Sequence, residues 1–215
     1  GSIDTYAQIE THVIKEWLAE NQDGAMISGA LWRVNIAFSA LRGVLGDGKI
    51  GRITGAQPVA QRRIDQFKPL ILATPTVDIG YNFLKYEKSR QNLDFVVFDA
   101  RFQDEFIQRM GRAGRVLGKQ EVDIMARAVA LLNQDAITAF ESLDGQTITR
   151  VEFTDFLSKQ APIPSRDDFS AYLSAGGMLE NVYPIWRTRE MLARSEEAFL
   201  ENAFDVVKEV FAPGS

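Results

Sequence analysis

The sequence predicts an α/β fold: a parallel sheet covered by helices on both faces and followed by a helical extension. Three observations carry that prediction. Short apolar runs alternate with segments of helical spacing as far as Asn133, the pattern of strands buried on both faces. Beyond Asn133 the strand signals fade, and clustered Phe, Leu and Val continue at helical spacing. The 215 residues are 46% hydrophobic, enough to bury a sizeable core.

Each element can be read in order. Thr5 to Asn21 reads as one amphipathic helix, with Ile9, Val13, Trp17 and Leu18 at helical spacing. AMISG (25–29) is a short strand ending in small residues, and a helix is predicted over 31–45. KIGRITG (49–55) is a strand closing on Gly55. VAQRRIDQF (59–67) follows as a helix, with Pro58 compatible with its first turn. PLILATPT (69–76), broken at Pro75, and DFVVFDA (94–100) are buried strands. FQDEFIQRM (102–110) is a helix, and RAVALLN (127–133) is the last strand. Ser165 to Asp168 opens a further helix that Gly176 and Gly177 end. A long helix fills 188–211, where Phe199, Phe204 and Phe211 are expected in the core. The domain reading is therefore 1–133 for the sheet and 134–215 for a mainly helical accessory extension.

Composition narrows the chemistry. The chain has no cysteine and one histidine, His12. Disulfides are excluded, a zinc site of Cys or His ligands is practically impossible, and no metal ligands are assigned. No apolar run approaches the ~20 residues that span a bilayer, and no signal peptide is visible. The chain begins Gly1-Ser2 rather than Met, so a longer, cytoplasmic protein is expected to contain it. The net charge of −5 is uneven. Residues 25–119 carry fifteen basic and eight acidic side chains, whereas 120–215 carry eight basic and sixteen acidic. A basic middle between acidic ends suggests an anionic partner there.

A parallel sheet with basic loops invites a nucleotide, yet GxxxxGK[ST] is absent. GVLGDGKIG (43–51) has Ile50 where a hydroxyl would hold magnesium, and it precedes a strand. Asp99 ends an apolar strand as a magnesium-binding aspartate would, but no phosphate loop lies upstream. Asp104-Glu105-Phe106 matches a helicase acidic box only in its letters, because it falls within a helix. The distinctive stretch is QRMGRAGR, Gln108 to Arg115, with three arginines and two glycines in eight residues. Guanidinium is permanently charged and binds phosphate oxygens bidentately. Glycines 111 and 114 would let the backbone approach a partner closely. The spacing suits either an arginine finger on a transferring phosphate or a surface cluster of salt bridges.

The order of motifs extends this reading. QRMGRAGR resembles motif VI of superfamily 2 helicases, and LATPTVDIGYNF (72–83) resembles their motif V. ITGAQPVAQRR (53–63) looks like the strand–glycine–helix segment before it, and AMISGALWRVNIAFSAL (25–41) like motif IV. The resemblance covers residues 25 to about 133 and implies the second RecA-like domain of such a motor, without the phosphate loop of the first. The Ala73-Thr74-x-x-Val77-Asp78 run is similar to the CRISPR-associated type I interference helicase. With no histidine–aspartate nuclease in the chain, the type I-D arrangement of separate helicase and nuclease fits. DEAD-box, DEAH-box and repair helicases stay open, as does a RecA-like module used only for protein docking.

The resemblance implies site residues. Arg112 and Arg115 would touch the γ-phosphate, Gln108 would sense nucleotide, and Gly80 and Asn82 would lie beside it. Asn82 stands where many relatives have an aspartate. Gly55, Thr74 and one of Arg62 or Arg63 would meet nucleic-acid phosphates. ATP and magnesium are implied for the full-length protein, with the magnesium ligands elsewhere. The implied partners are the first RecA-like domain, single-stranded DNA or RNA, and a CRISPR effector complex.

Overall fold

The computed structural model describes residues 1–75, 83, 85–115, 119–120, 124–168 and 197–211. Two compact units are present, Gly1–Ile163 and Pro164–Ser215. The first holds a five-stranded parallel sheet of order β2-β3-β1-β4-β5. Its strands are β1 (Gly24–Ile27), β2 (Ile50–Ile53), β3 (Leu70–Ala73), β4 (Phe95–Phe98) and β5 (Arg127–Ala130). All five lie where the apolar runs predict them. The helices are α1 (Ile3–Ile9), α2 (Thr11–Ala19), α3 (Leu31–Leu45), α4 (Val59–Asp65), α5 (Gln103–Met110), α6 (Gln134–Phe140) and α7 (Arg150–Lys159).

Successive strand residues point to opposite faces, so each short strand feeds two cores. Met26, Leu70, Leu72, Phe95 and Val97 meet Ile3, Ala7, Ile14, Val34, Ala37 and Leu41 of α1, α2 and α3. Ile27, Ile53, Ile71, Val96 and Phe98 pack on the other face with Phe106, Ala136 and Leu157. Phe98 meets Phe106 edge-on at 5.1 Å, and Phe106 stacks on Phe140 at 5.6 Å. Phe140 in turn meets Phe156 edge-on at 5.1 Å. Residues 134–163, assigned by sequence to the extension, thus contribute α6 and α7 to one layer of the sheet domain. Thr149 and Glu152 close a capping box that starts α7.

One element differs from its prediction. The single helix expected over Thr5 to Asn21 is two, because the chain breaks at Glu10. Ile3, Ala7 and Ile14 all still reach the core, while Ile9 is 65% exposed. Apolar spacing alone ran the two helices together.

In the second unit, residues 166–168 are helical, opened by mutual side-chain-to-amide bonds between Ser165 and Asp168. Gly176 and Gly177 lie outside the described residues, as does the start of the predicted 188–211 helix; its described part is Glu197–Phe211. There Leu200 is buried, but Phe199 is 72% exposed and Phe204 is also exposed, against the expectation of core positions. The side chain of Phe211 lies outside the described residues. No helix of the described residues is long and apolar enough to cross a membrane.

Candidate functional site

The parallel register ends β1 to β5 together, at Ile27, Ile53, Ala73, Phe98 and Ala130. Ser28-Gly29, Thr54-Gly55, Thr74 and Asp99 therefore share the carboxyl-end edge, the side on which open α/β sheets bind ligands. Two carboxylates fix the loops there. Asp99 accepts the Ser28 hydroxyl at 2.6 Å and the Gly29 amide at 3.3 Å. It also pairs with Arg33 of α3 at 3.4 Å and with Arg109 of α5 at 3.6 Å. Asp65 accepts from the Arg52 amide at 3.1 Å, Gln57 Nε2 at 2.7 Å and Gln61 Nε2 at 2.9 Å. This holds the loop that carries Gly55. A Cβ on Gly51 would sit 2.5 Å from the Asp65 carbonyl oxygen, so the close docking of α4 on β2 needs glycine at that position.

Gly55 is exposed, and Thr74 is half-buried with its amide donating to the Ile53 carbonyl at 3.2 Å. The β2–β3 pairing brings the two to one edge. Arg62 and Arg63 lie in the last turn of α4, about 5 Å along the helix from Val59. Arg63 is exposed; Arg62 is half-buried, with its Nε enclosed and without a hydrogen bond.

The arginine turn lies elsewhere. α5 starts with Asp104 and Glu105, which favour a helix N-terminus, and it ends at Gly111. Amides 112 and 113 donate to carbonyls 109 and 110. Gly114 then adopts φ +67°, a left-handed conformation suited to glycine. The Gly114 amide donates to the Leu93 carbonyl at 3.1 Å, and the Asn92 amide donates to the Arg115 carbonyl at 3.4 Å. Residues 92–93 precede β4, so this turn sits at the amino-end edge of the sheet, opposite Gly55 and Thr74. Gln108 and Arg115 are exposed, whereas Arg112 is 6% exposed.

The three arginines are not alike, and Arg109 was missed by sequence reasoning. It is 1% exposed and donates to the Asp99 carbonyl. Its guanidinium pairs with Asp99 and, at 3.5 Å, with Glu105. The i,i+4 spacing of Glu105 and Arg109 was the available signal. Its long-range partner, ten residues upstream, carried none.

The amino-end edge is also rich in cations. Lys88 Nζ lies 2.8 Å from Asp23 and 2.5 Å from Asp94, and Arg90 Nε lies 3.2 Å from Asp94. Lys119 donates to the carbonyls of Lys85 and Lys88. Burial pulls the Lys85 ammonium below the usual lysine range, and Asp23 opposes that shift. The folded chain therefore releases this proton at lower pH than the unfolded chain, and its contribution to stability rises with pH across that interval. Among the described residues no group of three His, Cys, Asp or Glu side chains is placed to hold a metal ion. Gly80 and Asn82 lie outside the described residues.

No family model matches the sequence. No curated protein is similar to it either. Among solved structures, the DUF1998 helicase MrfA bound to DNA is similar over 77% of this chain at 16% identity, with a TM-score of 0.53. Mss116p DEAD-box helicase domain 2 bound to an RNA duplex aligns over 87% of this chain and 76% of its own at 14% identity, with a TM-score of 0.48. T. fusca Cas3 with ATP aligns over 95% of this chain at 16% identity, with a TM-score of 0.40. The chain spans 22% of the length of MrfA and 22% of Cas3. The fold is thus the RecA-like α/β fold found in helicases.

Proposed function

We propose that the chain is the second motor domain of an ATP-dependent superfamily 2 helicase or translocase, working in the cytoplasm on a single strand of DNA or RNA. The observation that carries this reading is the arginine turn. Gly111 and Gly114 set Arg112 and Arg115 at one sheet edge in a chain with no phosphate loop of its own. Their guanidinia stabilise charge that develops on the γ-phosphate of ATP held by the first RecA-like domain of the same protein. Gln108 senses nucleotide beside them, and Gly80 and Asn82 complete the contact. Asp99 is committed to Ser28, Arg33 and Arg109, so it does not fit a magnesium ligand, and the metal that accompanies ATP is held outside this chain.

At the opposite edge Gly55 and Thr74, with one of Arg62 or Arg63 from α4, hold the phosphates of the strand. MrfA, which shares the fold, was solved bound to DNA, and this supports a nucleic-acid partner. The Ala73-Thr74-x-x-Val77-Asp78 run favours a type I CRISPR interference helicase, in the I-D arrangement, recruited by an effector complex.

Two measurements test the reading. Residues 1–215 alone release no phosphate from ATP, because neither the phosphate loop nor the magnesium site is present. Release above a buffer blank that Arg112→Ala abolishes would overturn this. For the strand contact, Arg63→Ala lowers the slope of log affinity against log salt by about 0.7, the value for one lost phosphate contact on a single strand. An unchanged slope removes Arg63 from the interface.

A further inference from the structure

We infer that Trp32 is a stacking platform for one unpaired nucleobase, an assignment that rests on the nucleic-acid reading above and adds to it a contact with the base itself. The contacts so far described at this edge are to backbone phosphates. Trp32 is the second residue of α3, immediately after the β1 loop. α3 buries Val34, Ala37 and Leu41 against the sheet. At 100° per residue Trp32 falls about 160° from Val34, on the outward face. Helical side chains lean toward the helix N-terminus, and that end of α3 lies at the carboxyl-end edge beside Ser28-Gly29.

Trp32 is 56% exposed, and its neighbour Leu31 is 42% exposed. An indole so placed presents a large, rigid aromatic surface to solvent. The Arg33 guanidinium lies 5.1 Å from the ring centroid. That cation is already fixed, since its nitrogens lie 3.4 Å from Asp99 and 3.9 Å from Asp4. The cation–π contact is therefore preformed and holds the indole in place, leaving its exposed surface for a base to stack on. The occupant follows from the nucleic-acid strand proposed for this edge: β1, which ends beside the loop leading to Trp32, is hydrogen-bonded to β3, which Thr74 follows. A paired duplex keeps its bases stacked on one another, so the ligand is a single strand.

The test measures binding of labelled oligothymidylate, about fifteen nucleotides long, and of an abasic strand of equal length at low salt. Trp32→Ala weakens oligothymidylate binding by about 5- to 150-fold, the range for one stacked base. It leaves abasic-strand binding as in the wild type, and Trp32→Phe retains most of the oligothymidylate affinity. Wild-type binding of oligothymidylate by Trp32→Ala overturns the inference and leaves the phosphate reading standing. Equal losses on both strands also overturn it, since the tryptophan then serves structure or a protein contact. If the wild-type chain binds neither strand, the nucleic-acid reading itself fails, and this inference with it.

Discussion

Arg115→Ala, introduced into the protein that joins this domain to a phosphate-loop domain, lowers ATP turnover by about 10³- to 10⁵-fold. The loss falls mainly on kcat, because the role proposed for the guanidinium is to act on charge that develops only in the transition state. Arg115 is the cleaner of the two proposed finger positions. It is exposed, so its truncation spares the fold, whereas Arg112 is 6% exposed and its removal also disturbs packing. Arg115→Lys recovers only part of the rate, since an ammonium keeps the charge but loses the planar fork. A docking module without catalysis would show no change in either variant. Wild-type turnover by Arg115→Ala therefore ends the finger assignment.

Arg109→Ala has the largest expected effect on stability, a loss of about 3–5 kcal/mol. Truncation removes one cationic partner of Asp99 and Glu105 where the side chain is 1% exposed, and it leaves carboxylates facing an unfilled space. Urea denaturation of the 215-residue chain checks this: the midpoint falls for Arg109→Ala and stays near wild type for Arg115→Ala. Equal midpoints for the two would refute the division between a structural and a functional arginine.

That division marks the limit of what the sequence discloses. The three central strands were legible because each is buried on both faces and reads as an unbroken apolar run, such as Leu70–Ala73 or Phe95–Phe98. α3 was legible to the residue because Gly46, at φ +79°, stops it sharply. The arginine turn stood out because its glycines and charges are adjacent in the chain. What escaped depends on residues distant in sequence. The Asp65 carboxylate holds a loop that begins eleven positions earlier, and Asp99 meets Ser28 across seventy-one. Nor could spacing reveal that Phe140, Phe153 and Phe156 belong to the sheet domain, since they join it through Phe106 of α5, which meets Phe98 of β4.

Arg109 spans the two edges of the sheet. The Arg109 carbonyl accepts the Arg112 amide inside the arginine turn, while its guanidinium reaches Asp99, with Nη2 4.0 Å from the position a Cβ would take on Gly29. A single residue thus has its main chain at one edge and its head group at the other, in a site too tightly packed for the side chain to change length freely. Asp99 holds Ser28 and Gly29 on one side and Arg109 on the other, so displacing the loop either breaks its bonds to Asp99 or shifts Asp99 and Arg109 with it. Through Asp99, the side chain works as a tie-rod between the loop at the proposed strand edge and the turn that carries Arg112 and Arg115.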